Sequence, residues 1–200
     1  MGKSIIPVPN SLMFLPVLSL VLLLASAGVG AEILAGQVVR VADGDTVTVL
    51  LPDGQTHQVR LAGIDSPERA QPFGQRARQE ISALVFGKPV VVEWSKRDRY
   101  QRIVGKVLVA DQDTGLALVA SGLAWHFKRY QHEQSPADRA QYATAEEEAR
   151  ASGKGLWSDA HPVPPWEWRA AKRQGAPGKL SGGSRAIIRS DTGGCDATRV

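Results

Sequence analysis

The chain has 200 residues, enough for one domain with terminal extensions, and its only cysteine, Cys195, excludes an internal disulfide. The net charge of +4 belongs to the tail, because residues 32–169 carry 17 Lys and Arg against 18 Asp and Glu, whereas residues 170–200 carry 6 against 2. Bulk charge therefore does not argue that the domain binds nucleic acid.

Residues 1–31 have the pattern of an export segment. Leu12–Ala25 is almost entirely apolar, and small residues follow at Ala25-Ser26-Ala27 and Val29-Gly30-Ala31. This pattern predicts a cleaved signal peptide. An uncleaved membrane anchor is the alternative, since roughly 20 apolar residues can span a bilayer. Either interpretation places the body of the protein outside the cytoplasm, periplasmic or extracellular, or tethered to the membrane if the segment is kept.

Apolar periodicity in residues 32–169 predicts one domain that contains five strands and three helices. The expected fold class is α+β, mainly β: a five-stranded OB-fold barrel with about three packed helices. No pattern continues after Pro162, and residues 170–200 are predicted to be a disordered basic tail. The predicted strands are Gly36–Val41, Thr46–Leu51, His57–Ala62, Val90–Trp94 and Ile103–Val109, and the helices are Pro72–Phe86, Leu116–Ser121 and Pro136–Ser152.

Two groups of polar residues have a structural interpretation. Glu146, Glu147 and Glu148, on the longest predicted helix, are expected to be mostly a solvated face. His126 and His132 are interpreted as polar loop residues, because nothing in the sequence orients either one as a general base.

Three carboxylates stand where predicted strands end. Asp45 closes an Asp-Gly-Asp turn, and Asp65 follows the third strand. Two neighbouring carboxylates repel unless a cation lies between them, and oxygen-only ligation suits Ca²⁺ or Mg²⁺. The alternative is that both aspartates cap backbone groups. Glu68, which Ser66-Pro67 keeps out of a helix, can accept a proton from an attacking water or simply precede the next helix.

Arginines accompany these carboxylates. Arg60 lies on the face of its strand opposite Val59 and Leu61, and Arg102 belongs to a dense basic cluster. Guanidinium groups match phosphate oxygens and stabilise charge that develops at phosphorus. A phosphate-binding and base-stacking surface and a solvated hairpin are both open interpretations of this cluster, which comprises Lys96, Arg97, Arg99, Arg102 and Lys106 with Trp94 and Tyr100.

Taken in order, six short motifs resemble the staphylococcal nuclease (thermonuclease-like) family over roughly residues 36–157. Each motif is weak by itself, but the ordered set is highly specific. The motifs are Asp43-Gly44-Asp45-Thr46, Arg60-Leu61, Ile64-Asp65-Ser66-Pro67-Glu68, Asp98-Arg99-Tyr100-Gln101-Arg102, Gly122-Leu123-Ala124-Trp125 and Gly155-Leu156-Trp157-Ser158.

The resemblance implies an OB-fold enzyme that hydrolyses phosphodiester bonds of DNA and RNA with Ca²⁺. By the same resemblance, Asp45 and Asp65 are calcium ligands through their side chains, and Ser66 through its backbone carbonyl. Glu68 activates or orients the water. The remaining implied roles are phosphate binding by Arg60 and Arg102, and nucleotide binding by Arg99, Tyr100 and Tyr130.

The chain departs from the family pattern at a few positions. Ser66 replaces a threonine, Arg99 replaces a lysine, and Gln101 replaces a glycine, which predicts a stiffer loop before Arg102. The stretch 126–129 departs most, so the base-stacking part of the site is expected to differ from that of the family.

We therefore expect an exported or membrane-tethered, monomeric calcium-dependent nuclease with little sequence specificity. A non-catalytic nucleic-acid-binding OB module at the cell envelope is the alternative, because relatives without the acidic and arginine residues keep the fold. A third hypothesis is an envelope interaction domain that binds through its basic tail.

Overall fold

The computed structural model describes Gly2 and residues 32–175. The predicted signal peptide or anchor and most of the predicted tail lie outside these residues, so both stay predictions. Among the described residues, no helix is both long enough and apolar enough to cross a bilayer.

Five strands close into a barrel, which confirms the predicted fold class. The sheet order is β3-β2-β1-β5-β6-β7, and a parallel pairing between β3 and β6 completes the closure. A separate two-stranded sheet joins β4 to β8. The strands are β1 Glu32–Val41, β2 Thr46–Leu50, β3 Thr56–Leu61, β4 Ile64–Asp65, β5 Pro89–Arg97, β6 Ile103–Val109, β7 Gln112–Asp113 and β8 Trp125–His126.

Strand β1 pairs with a different neighbour along each half. Its residues Glu32–Gln37 pair with β5, and Gln37–Val41 pair with β2. The register shifts between Val38 and Arg40, and such a bulge bends a strand and increases its twist. The strand begins at Glu32 rather than at the predicted Gly36, and this added length lets it bridge both sides of the barrel.

The barrel interior is filled by β-branched and aliphatic side chains that alternate along the strands. Val47, Val49, Val59, Leu61 and Ile103 are all buried. This alternation is what the sequence pattern predicts for strands with one face in the core.

Four helices occur in residues 32–175, one more than expected. The three predicted helices are present, with ends shifted by at most two residues. The helices are α1 Gly74–Val85, α2 Thr114–Ala120, α3 Pro136–Ala151 and α4 Pro165–Arg173, and two 3₁₀ turns cover Lys128–Glu133 and Gly155–Ser158. Helix α4 starts where no pattern was found and continues past the expected domain end at Arg169.

Two polar interpretations were wrong for one residue each, since Glu147, Glu148 and His132 are exposed as expected. Glu146 is buried, not solvated: its carboxylate accepts a hydrogen bond from the His126 backbone N–H at 3.1 Å and pairs with Lys128 at 2.7 Å. His126 is also buried, in strand β8, where its Nε2 lies 2.8 Å from Gln134 Oε1. The partners of both residues come from other elements, which a helical or loop pattern does not reveal. Among the described residues, the buried Nδ1 of His126 has no hydrogen-bond partner.

Candidate active site

Asp45 and Arg60 lie side by side because strands β2 and β3 pair there. Thr46 is opposite Arg60 in the antiparallel ladder, and the Leu61 N–H donates to the Asp45 carbonyl at 2.8 Å. The Arg60 guanidinium forms an ion pair with the Asp45 carboxylate. The predicted hairpin therefore brings a carboxylate and an arginine to one end of the barrel.

Asp65 reaches the same place from strand β4. Its pairing with Trp125 in β8 fixes the backbone, and the residue is fully buried. Arg60 Nη2 donates to Asp65 Oδ1 at 2.8 Å. One guanidinium thus bridges Asp45 and Asp65, two buried carboxylates, and the predicted sharing of a divalent cation by this pair stays a prediction.

Ser66 contacts this pair through its backbone amide. Its N–H donates to Asp45 Oδ2 at 2.8 Å, so Asp45 also caps a backbone group, as the alternative interpretation expected. Gly44 permits this close packing, since a Cβ added there would lie 2.7 Å from the Ser66 side chain. The role of the Ser66 carbonyl as a ligand stays a prediction.

Glu68 lies in the loop before helix α1, with 39% of its side chain exposed. Gln71 holds this loop: its Oε1 accepts from the Glu68 N–H at 3.2 Å, and its own N–H donates to the Glu68 carbonyl at 2.8 Å. Gly74 leaves room for that carbonyl, because a Cβ there would collide with it. The solvent-accessible carboxylate therefore stands on a well-defined backbone beside buried Asp65.

Arg169 completes the cluster, and sequence reasoning missed it. Its Nη2 donates to Asp65 Oδ2 at 2.7 Å, its Nη1 to Asp65 Oδ1 at 3.2 Å, and the same Nη1 to Glu68 Oε1 at 2.8 Å. Partial burial works to lower the pKa of Arg169, but these hydrogen bonds outweigh burial and raise it above the ordinary value. The signal in the sequence was Pro165 followed by Trp166 and Arg169, a helix start with two side chains on one face.

Arg102 belongs to a second group, around Asp98. The Asp98 carboxylate accepts from Arg102 Nε at 2.8 Å and from the Arg102 and Tyr100 N–H groups at 3.0 and 2.8 Å. Partial burial works to raise the pKa of Asp98, but these hydrogen bonds outweigh it and the pKa is lowered. Gln101, the predicted stiff position, adopts a left-handed conformation with φ of 63°.

The parallel pairing of β3 with β6 sets the distance between the two groups. Arg60 is opposite Val104 in this pairing, and Arg102 lies two residues before Val104 in the chain. Strand spacing and rise place the two backbones roughly 8 Å apart. Within the described residues no hydrogen bond or ion pair joins the Asp98 group to the carboxylate cluster.

The predicted nucleotide-binding residues form an exposed aromatic and cationic surface. Tyr100 is 63% exposed, with the Arg99 guanidinium 4.7 Å from its ring centroid and hydrogen-bonded to its hydroxyl at 2.7 Å. Tyr130 is 42% exposed, and its ring lies edge-on to Phe127 at 5.3 Å. Exposed rings of this kind can stack on bases, and the nucleotide-binding role of these residues stays a prediction.

The donor set suits a hard divalent cation. Asp45 and Asp65 offer buried carboxylate oxygens, and no sulfur or imidazole donor takes part in their contacts. No cluster of three or more His, Cys, Asp or Glu side chains suited to a metal occurs in residues 32–175. A cation there would rely on these two carboxylates, with further oxygens from backbone, water or substrate, as Ca²⁺ and Mg²⁺ accept.

A family model described as "Staphylococcal nuclease homologue" matches residues 58–159, more than half of the chain. The chain belongs to the staphylococcal nuclease family. Arg60, Asp65, Glu68 and Arg102 lie within the matched residues, whereas Asp45 precedes them and Arg169 follows them.

Named relatives agree with this membership. An "Uncharacterized endonuclease" of Haemophilus influenzae is 39% identical over 137 residues, covering 68% of this chain and 74% of its own length. "Protein ParB" of Escherichia coli is 39% identical over 160 residues, covering 76% and 87%. The "Micrococcal nuclease" of Shigella flexneri is 42% identical over 147 residues, covering 69% and 82%. The family and the two relatives whose names include nuclease or endonuclease support nuclease activity for the chain.

Proposed function

We propose that this staphylococcal nuclease family member is a Ca²⁺-dependent phosphodiesterase that hydrolyses DNA and RNA with little sequence specificity. The observation that carries the proposal is the arrangement of Asp45 and Asp65, two buried carboxylates bridged by Arg60, beside accessible Glu68. The nuclease names of its relatives point to the same substrate class.

Each residue has a role that its position supports. Asp45 and Asp65 would hold the cation, with the Ser66 carbonyl as a further oxygen ligand. The bound ion would neutralise charge on a phosphoryl oxygen. Arg60 and Arg102 hold the phosphate from two sides, and their charges offset the negative charge that grows on its equatorial oxygens in the transition state.

The hydrolytic step uses Glu68 as proton acceptor. The oxygen of a water molecule forms a bond to phosphorus while Glu68 takes its proton, the ester P–O bond breaks, and the leaving oxygen takes a proton from solvent. Arg99, Tyr100 and Tyr130 bind the nucleotide by charge and stacking, which does not distinguish bases strongly.

Digestion of DNA and RNA, in Ca²⁺ and in chelator, tests the proposal with wild type, Glu68→Gln and Arg102→Ala. Removing one charge-stabilising donor typically costs about 10²–10³ in rate, so we expect a loss of at least this order in each variant. Glu80→Gln and Arg40→Ala are matched controls, because both residues are exposed and lie outside the cluster.

Undiminished cleavage by both active-site variants contradicts the mechanism. A wild type that binds nucleic acid but fails to cleave it, whichever divalent ion is added, supports the non-catalytic module instead. We further propose that the protein acts as a monomer outside the cytoplasm, which intact-mass measurement of the exported protein and light scattering test.

A further inference from the structure

Helix α4 carries the Arg169 guanidinium into the carboxylate cluster, and Arg169 lies beyond the residues that the family model matches. We propose that Arg169 is an active-site residue that holds Asp65 and Glu68 in the cation-free protein and is displaced when the divalent cation binds. The inference rests on the proposed function, since it concerns the affinity of that same site for its cation.

Arg169 and a divalent cation compete for the same carboxylate oxygens of Asp65. Arg169 donates to both oxygens of Asp65, at 3.2 and 2.7 Å, while Arg60 also uses Oδ1. Asp65 is fully buried, so no lone pair faces bulk solvent. Arg169 supplies two of the three side-chain hydrogen bonds that this carboxylate accepts, so a cation that binds both Asp65 oxygens competes with Arg169.

The charges lead to the same conclusion. Asp45, Asp65 and Glu68 face two guanidinium groups, so the cluster carries a net charge of −1. Adding a divalent cation with Arg169 in place gives +1, with three cationic groups crowded on partly buried carboxylates. Releasing Arg169 makes the cluster neutral, and like charges at short range in a site with little water are costly.

Helix α4 is held in a way that permits this release. Pro165 is its only buried residue, and Trp166 stacks on Phe127 with ring centroids 5.5 Å apart. Gln71 Nε2 donates to the Val163 carbonyl just before the helix at 2.6 Å. Trp166 also lies edge-on to Trp125, with ring centroids 5.6 Å apart. A nine-residue helix has little stability of its own, so the aromatic contacts of Trp166 and the ion pairs of Arg169 together attach it.

Calcium affinity tests the inference directly. Calcium chloride is titrated into the full chain by calorimetry, using wild type, Arg169→Gln, Arg169→Lys and the control Arg173→Gln. Arg173 is exposed on the last turn of the same helix, so its substitution removes the same charge without touching the carboxylates. We expect Arg169→Gln to tighten calcium binding by about 5- to 150-fold, the usual range for coupled sites, with Arg169→Lys intermediate.

Urea unfolding gives a second readout of the same coupling. We expect Arg169→Gln to lower the unfolding midpoint in chelator and to match wild type in saturating calcium, because Arg169 has already left the site there. Equal calcium affinity in Arg169→Gln and Arg173→Gln, or the same loss of stability with and without calcium, overturns the inference alone. A wild type that neither binds calcium nor cleaves nucleic acid overturns the proposed function, and the inference with it.

Discussion

Replacing Gly74 with alanine separates helix propensity from the geometry of the Glu68 loop. Gly74 is the first residue of helix α1, and alanine in a helix is normally more stable than glycine by about 1 kcal/mol. Here, however, the added Cβ would collide with the Glu68 carbonyl oxygen and lie 2.7 Å from its carbonyl carbon. Both atoms are backbone, so no side-chain rotation relieves the contact.

The collision outweighs the gain in propensity. Overpacking of this kind typically costs about 1–3 kcal/mol, and the loop cannot yield freely because Gln71 ties it at both ends of Glu68. We expect Gly74→Ala to lower the free energy of unfolding by up to about 2 kcal/mol after the helical gain is subtracted. Since Glu68 moves with its backbone, the cleavage rate should fall by about 10²-fold.

Urea unfolding and steady-state cleavage measure the two effects, with Gln79→Ala as a control at an exposed site of the same helix. A Gly74→Ala protein that is more stable than wild type and cleaves at the same rate would refute the steric reasoning. Loss of rate with unchanged stability would instead show that the loop moves at little cost.

Three further outcomes follow from other contacts. Glu146→Ala should cost about 1–3 kcal/mol in urea unfolding, because the buried His126 N–H loses its acceptor while the exposed Lys128 can be solvated. Exposed Glu147→Ala should change stability by less than about 0.5 kcal/mol. Partial burial works to raise the pKa of Asp138, but hydrogen bonds from Lys106 and Ser135 outweigh burial, and the pKa is lowered from 3.8. The ion pair of Asp138 with Lys106 therefore stabilises the fold above pH 3.8, and this stabilisation is lost as the pH falls below 3.8. Asp138→Asn should therefore be about 0.5–1 kcal/mol less stable than wild type at pH 7, with the difference closing as the pH falls below 3.8. Trp166→Ala should tighten calcium binding in the direction of Arg169→Gln, as calorimetry can show, because it weakens the attachment of α4.

The barrel could be predicted because its information is local. Strands are marked by alternating buried valines, and their ends and those of the helices by turn residues and stop signals nearby in the sequence. Every predicted strand and helix was found. The start of β1 was missed because Glu32–Ala35 has a mixed burial pattern that depends on pairing with β5.

The site could be predicted only in part. The motifs named Asp45, Arg60, Asp65 and Glu68, and the structure brings these four together. Arg169 escaped because its partner Asp65 is 104 residues away in the sequence, and a short helix with one buried residue leaves almost no hydrophobic period. The burial of Glu146 escaped for a similar reason, since its partners come from β8 and the turn after it.

Arg60 also acts as a built-in counter-ion. In many acidic metal sites the carboxylates repel one another once the ion is removed, and the fold loosens with them. Here the chain supplies its own neutralising charge between Asp45 and Asp65. The barrel is therefore expected to keep its fold in chelator, so that under the proposed mechanism removal of the cation would stop cleavage without unfolding the protein.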